Sequence, residues 1–251
     1  MTFKTKLAAT VALILAAAAP LPALALDDAQ KKEIGDFIKE YLVENPEILV
    51  DVQEALQKKQ EAQQQAKAQS VITDNEKAIF SSPYDIALGN PKGDVTIAAF
   101  LDYNCPFCKK AAPDLARIVK TDGKIRLVYK DWPILGDASV YGAQLALAAH
   151  YQGKYEAVHH ALMALPSMRI PKDKILGAIQ AAGVDMARLQ ADLKTKSDAI
   201  TALLRRNLAQ ADAIGLEGTP AYLVGPFRTA TLDYAGFKQV VADARARQAG
   251  K

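Results

Sequence analysis

The stretch FLDYNCPFCKKAAPDLARIV, residues 100–119, holds both cysteines of the 251-residue chain, Cys105 and Cys108, separated by Pro106 and Phe107. A β-rich apolar run, residues 95–101, precedes the pair, and a helix is expected over residues 109–120. The cysteines therefore sit where a strand meets a helix. Three chemistries compete for such a pair. A structural zinc site takes four ligands, and the chain offers only three histidines besides, His150, His159 and His160, without the spacing of a second ligand pair. A purely structural disulfide would close a loop too short to restrain much of the unfolded chain. A redox dithiol suits the position best. Unpaired amide N–H groups and the dipole at a helix start favour an anion, and the thiolate is the attacking species. Cys105, the first residue of the turn, is read as the more exposed thiol and the one that attacks a disulfide. Cys108, one turn along, then resolves the mixed disulfide. Pro106 suits the first helical turn because no bonded N–H is lost there.

Outward from this stretch, KIRLVYK (residues 124–130) reads as a second strand and residues 219–224 as a third, with a final helix over residues 234–247. Between the last two strands, residues 138–214 are rich in alanine and leucine and broken by Gly153, Pro166, Pro171 and Gly183, which predicts several short helices. The order strand, helix, strand, helical block, strand, helix predicts an α/β fold with a small sheet and a helical insertion.

Upstream, Lys4 and Lys6 lead into an apolar run, residues 7–19, too short to span a bilayer comfortably. Pro20 and Pro22 follow, then Ala23-Leu24-Ala25. This is the pattern of a secretory signal peptide cut after Ala25, with an uncleaved anchor as the lesser reading. The periplasm is the expected compartment, one that favours disulfides. Residues 26–69 read as a helical segment whose apolar side chains recur at helical spacing: Ile34, Phe37, Ile38, Tyr41 and Leu42, then Leu49, Val52 and Leu56. Asn45-Pro46 is expected to start a second helix. From Gln57 to Ser70 glutamine, lysine, glutamate and alanine dominate, which predicts a solvated helix with no inward face. That polar stretch separates the stripe from the domain beyond it, so the stripe is expected to pair with copies of itself. The layout is a signal peptide, 1–25; a helical oligomerisation segment, 26–69; and a catalytic domain, 70–251, with its insertion at about 138–214. A net charge of +3 gives no reason to expect nucleic acid as a partner.

CPFC after a β-run, KDWPILG at residues 130–136 and GTPAYLV at residues 218–224 together resemble the thioredoxin-fold, DsbA-like family of secreted thiol–disulfide oxidoreductases, from about residue 82 to the C-terminus. The resemblance implies a thioredoxin-like fold, a cis Pro220 lying against the cysteines, and a Thr219 backbone that binds extended substrate peptides. It implies no cofactor and no metal ligand. Two positions depart from the family pattern. Phe107 stands where the better-known oxidases carry histidine, so a less acidic thiol and a less oxidising couple are expected. Ala99 stands where a buried acid is often found, and Asp102 is assigned no role. Phe107 is expected to be partly exposed and to touch unfolded substrates. The N-terminal helices resemble those of the oligomeric suppressor-of-copper-sensitivity C branch, whose helical stalk trimerises and whose members shuffle disulfides. That resemblance implies a periplasmic disulfide isomerase, trimeric, acting on misfolded secreted proteins and kept reduced by a membrane thiol reductant. A dithiol oxidase is the alternative, and a copper-tolerance protein holding Cu(I) through its soft thiolates is a third. Trp132, Pro133, Met163 and Met168 are read as packing residues, and His159-His160 as a solvated or half-buried pair.

Overall fold

The computed structural model describes residues 26–166, 170–230 and 232–250. Residues 1–25, read above as a signal peptide, and Met168 lie outside them. The chain divides into two units, residues 1–59 and 60–251.

In the first unit, α1 (Asp28–Glu44) opens with a reciprocal cap. The Asp27 side chain accepts from the Gln30 amide, and the Gln30 side chain returns to the Asp27 amide. The helix closes on Asn45, whose backbone and side-chain N–H groups both donate to Tyr41 O, each at 2.9 Å. Asn45 therefore caps the end of α1, where a start signal for α2 (Glu47–Asp74) was expected. A short amide side chain serves a carbonyl one turn back as readily as an amide ahead. No α1 residue is buried. Ile34, Phe37, Ile38, Tyr41, Leu49, Val52 and Leu56 are all exposed, Phe37 at 64%, and Leu42 is half-buried.

Helix α2 runs without a break past residue 69. Its polar stretch does acquire an inward face in the second unit, where Ala68 and Ile72 are buried. One small side chain at that spacing is too weak a signal to stand out among glutamines.

The second unit is built on a five-stranded sheet, in the order β1 (Ile86–Gly89), β3 (Ile125–Asp131), β2 (Val95–Leu101), β4 (Ala221–Val224), β5 (Phe227–Thr229). β2 and β3 run parallel, joined by α4 (Pro106–Asp122); the other pairings are antiparallel. α3 (Glu76–Phe80) precedes β1. Among the described residues, five helices lie between β3 and β4: α5 (Asp137–His150), α6 (Tyr155–Ala164), α7 (Lys172–Ala181), α8 (Met186–Thr195) and α9 (Ser197–Ile214). α10 (Tyr234–Ala249) ends the fold. β1 and β5 were not foreseen: four and three residues long, they show too little alternation to read.

The sheet is covered on both faces, so its central strands are apolar throughout. Successive β2 side chains divide between two cores. Val95, Ile97, Ala99 and Leu101 join Cys108, Leu115 and Ile118 of α4 and the insertion helices. Ala98 and Phe100 join Ile72, Ile79, Phe80, Trp132, Ala211 and Ile214. Trp132 packs edge-on against Phe100, ring centres 6.2 Å apart, and Met163 is buried. Lys130 enters the second core. Its ammonium, fully buried, donates to Asp85 Oδ2 at 2.6 Å and to Ala78 O at 3.4 Å. Arg126, on the same face of β3, donates to Phe80 O. Two cationic side chains thus fasten residues 78–85 to the sheet.

Candidate active site

The sheet register delivers the site. Phe100 of β2 stands opposite Ala221 of β4, so the residues before β4 arrive beside the turn after β2. Trp132 N donates to Leu101 O at 2.8 Å, which extends the β2–β3 pairing and brings the 132–136 connection to the same place. Three loops converge there, carrying Cys105, Thr219-Pro220 and Ile134-Leu135.

Cys105 is the N-cap of α4 and Pro106 its first residue. The Cys108 amide donates to Cys105 Sγ at 3.4 Å. The Cys105 thiol donates to Thr219 O at 3.1 Å. The Thr219–Pro220 peptide is cis. Hydrogen bonding from the Cys108 side chain holds the Cys105 thiol well below the usual range, at about 6, with the Thr219 side chain and the Cys108 and Phe107 amides contributing against the cost of burial. Burial pushes the Cys108 thiol far up. The two thiols are not bonded to each other. One is therefore prepared as a nucleophile and the other is held protonated until it is needed.

Exposure differs from expectation. Cys105 is 3% exposed and Cys108 2%, because Cys105 is roofed by the Thr219 loop. What distinguishes the thiols is that hydrogen bonding dominates at Cys105 and burial of the sulfur at Cys108. Phe107, between them, is 59% exposed, and Ile134 and Leu135 add exposed apolar surface.

Sequence reasoning missed the polar groups around the pair. Asp102, given no role, is buried and bonded to four donors. Lys109 donates to Leu162 O at 2.6 Å, and burial lowers it to about 8. Tyr103, two residues before Cys105, contacts His159 Nδ1 at 3.2 Å and Tyr155 OH at 3.4 Å. Tyr155 OH in turn donates to Asp131, 3.0 Å from Oδ2. Burial raises Asp131 to about 7 and lowers His159 to about 3. His159 is thus buried and neutral, where a solvated or half-buried pair was expected. Neighbours on a helix point about 100° apart, and only His160 faces outward. An aspartate whose side chain can accept from the amide two residues on, as in Asp102-x-Asn104, was the one signal in the sequence for any of these contacts.

Residues 81–243 match the family model described as Thioredoxin, and residues 30–63 match the one described as Copper resistance protein ScsC N-terminal domain. The chain belongs to the thioredoxin family, among its DsbA-like thiol–disulfide oxidoreductases on the ScsC branch. Solved structures agree. A thioredoxin-like oxidoreductase from Silicibacter pomeroyi DSS-3 is 38% identical, covering 68% of this chain and 98% of that one, with a TM-score of 0.65. Proteus mirabilis ScsC in a transitional conformation is 26% identical, covering 88% and 100%, with a TM-score of 0.65. The thiol–disulfide exchange protein α-DsbA2 from Wolbachia pipientis is 27% identical, covering 71% and 96%, with a TM-score of 0.67. Among curated proteins, Na(+)/H(+) antiporter NhaA 1 of Salinispora arenicola is 28% identical over 143 residues, 56% of this chain and 21% of that protein. The chain spans about a fifth to a quarter of the length of the curated relatives it matches.

Proposed function

We propose that this protein is a periplasmic disulfide isomerase, working as an assembly of three copies. The observation that carries the reading is the apolar face of α1 and α2, exposed from Ile34 to Leu56, in a chain that also bears a redox dithiol. Each side chain of this size contributes roughly 1.5–3 kcal/mol when fully buried, so several together suffice to hold copies in contact. An isomerase must grip a misfolded protein while its disulfides rearrange, and several sites around a shared apolar surface serve that task. The basic and apolar leader supports the compartment.

The chemistry is two exchanges. Cys105 thiolate attacks one sulfur of a substrate disulfide. A Cys105–substrate disulfide forms, the substrate S–S bond breaks, and the other substrate sulfur leaves as a thiolate that takes up a proton. A second substrate thiolate then attacks the mixed disulfide, yielding a rearranged disulfide and restoring Cys105 thiolate with no net oxidation. If none attacks, Cys108 loses its proton and attacks Cys105 Sγ. The substrate leaves reduced by two electrons, and the Cys105–Cys108 disulfide must be reduced by a partner dithiol. Thr219, Pro220 and Phe107 are assigned to holding the substrate chain. A Cys105 thiol lowered to about 6 is substantially ionised at neutral pH, as the attack requires.

The test is light-scattering mass and recovery of a scrambled multi-disulfide protein, for the wild-type chain and for Phe37→Glu/Leu49→Glu. The wild type is expected to be oligomeric and to recover the substrate. The variant is expected to be monomeric and to recover little, while still reducing a small disulfide. A monomeric wild type that recovers little substrate would replace this reading with the dithiol oxidase, and a monomeric variant that isomerises equally well would overturn the assembly.

A further inference from the structure

Asp102 joins the loops that form the site. It follows β2 directly and is 1% exposed. Its Oδ1 accepts from the Asn104 amide and from the Ser139 hydroxyl, both at 2.7 Å. Its Oδ2 accepts from the amides of Ile134 and Leu135 at 2.8 and 2.9 Å. Asn104 Nδ2 completes the cluster on Ser139 Oγ at 3.1 Å. The carbonyl of Asp102 also accepts from the Cys105 amide at 3.1 Å. Main chain and side chain of one residue thus fix the turn that presents Cys105 as a helix cap. The same carboxylate holds the 132–136 connection and the first turn of α5.

A carboxylate has about four lone-pair directions and no proton to clash with a donor. Four donors meet this one, three of them backbone amides. An asparagine amide would turn an N–H against at least one backbone N–H whichever way it lies. We propose that Asp102 is a positioning residue of the thiol site, pinning the 102–105 turn against residues 134–139 so that Cys105 Sγ stays within reach of the Cys108 and Phe107 amides. The proposal rests on the reading of Cys105 as the attacking thiol.

The alternative role is electrostatic, and it has the opposite sign. The charges facing Asp102 are Lys109 of α4 and Asp131 of β3, with Cys108 behind its backbone. If Asp102 acted only by its charge, neutralising it would ease formation of a nearby thiolate. If it acts by position, neutralising it loosens the cap and makes the thiolate harder to form.

The experiment is site-resolved alkylation of the reduced full-length protein against pH, by peptide mass spectrometry, for the wild type, Asp102→Asn and Ser139→Ala. Asp102→Asn is expected to raise the Cys105 midpoint by about one pH unit, a ten-fold loss of thiolate on the acid side. Ser139→Ala, which removes one donor and keeps the charge, is expected to shift it the same way by less. A midpoint that falls or stays put in Asp102→Asn overturns the proposal. Should Asp102→Asn not fold, an unmoved or lowered midpoint in Ser139→Ala overturns it instead. A wild-type Cys105 with an ordinary thiol midpoint would be a separate result, against the reading of Cys105 itself.

Discussion

Cys105→Ser is expected to show no disulfide exchange above the uncatalysed background, whereas Cys108→Ser is expected to accumulate as a covalent adduct with its substrate. Serine at the cap of α4 retains a hydrogen-bond acceptor for the Cys108 amide, so the fold is undisturbed. Its hydroxyl is far too weak an acid to supply an anion where the Cys105 thiol, held at about 6, supplies one readily. Serine at position 108 leaves the attack intact. It removes the sulfur that would break the mixed disulfide from within, and only an external thiol can then release the substrate. Intact mass spectrometry after incubation with an oxidised peptide separates the two: unmodified Cys105→Ser, and Cys108→Ser heavier by one peptide. An adduct on Cys105→Ser instead would exchange the roles of the two thiols.

Lys130→Met is expected to cost about 3–5 kcal/mol of stability at neutral pH, the usual penalty for stranding one member of a buried ion pair. Lys130 and Asp85 are both buried. Desolvation lowers the lysine and raises the aspartate, outweighing their mutual attraction at both ends. Methionine fills the lysine stem but leaves the carboxylate without its cation. The pair also carries the chain from α3 to β1, together with the bond to Ala78 O, so the loss spreads to that segment. Because burial costs each group more than the pairing returns, replacing both, as Lys130→Met/Asp85→Leu, is expected to recover most of the loss. Urea denaturation of the single and double variants checks both statements. A single variant within about 1 kcal/mol of wild type would show that the pair contributes little to holding this segment.

The candidate site was legible as a place in the fold because its signals are local. A CxxC after an apolar run, a proline at the next position and a GTP before a later strand each act within a few residues of where they stand. Cys105, Cys108, Thr219 and Pro220 accordingly come together in space, and Phe107 projects outward. The residues around the centre were not legible, because their roles depend on pairings remote in sequence. Asp102 meets Ile134, Leu135 and Ser139 only after β2 and β3 have aligned. Lys130 reads as the polar end of a strand until Asp85 is brought beneath it. His159 and His160 look alike in sequence and differ only in which one faces the sheet. The end of α2 was misread for a related reason: Ala68 is too small to mark a buried face, and Ile72 lies beyond the polar stretch that seemed to close the segment.

The acidity of Cys105 has a consequence for the fold. Its folded value, about 6, lies below the roughly 8.5 of a free thiol. The unfolded chain therefore binds more protons between these values. Cys105 thus contributes stability to the reduced protein that grows as pH rises from about 6 to about 8.5 and is lost as pH falls back through 6.

The most direct measurement is the rate of alkylation at each cysteine of the reduced, full-length protein from pH 4 to pH 9, resolved by peptide mass spectrometry. The expected result is a Cys105 midpoint near pH 6, with Cys108 unlabelled through neutral pH. A Cys105 midpoint near that of a free thiol, or labelling of Cys108 first, would contradict the assignment of Cys105 as the attacking thiolate.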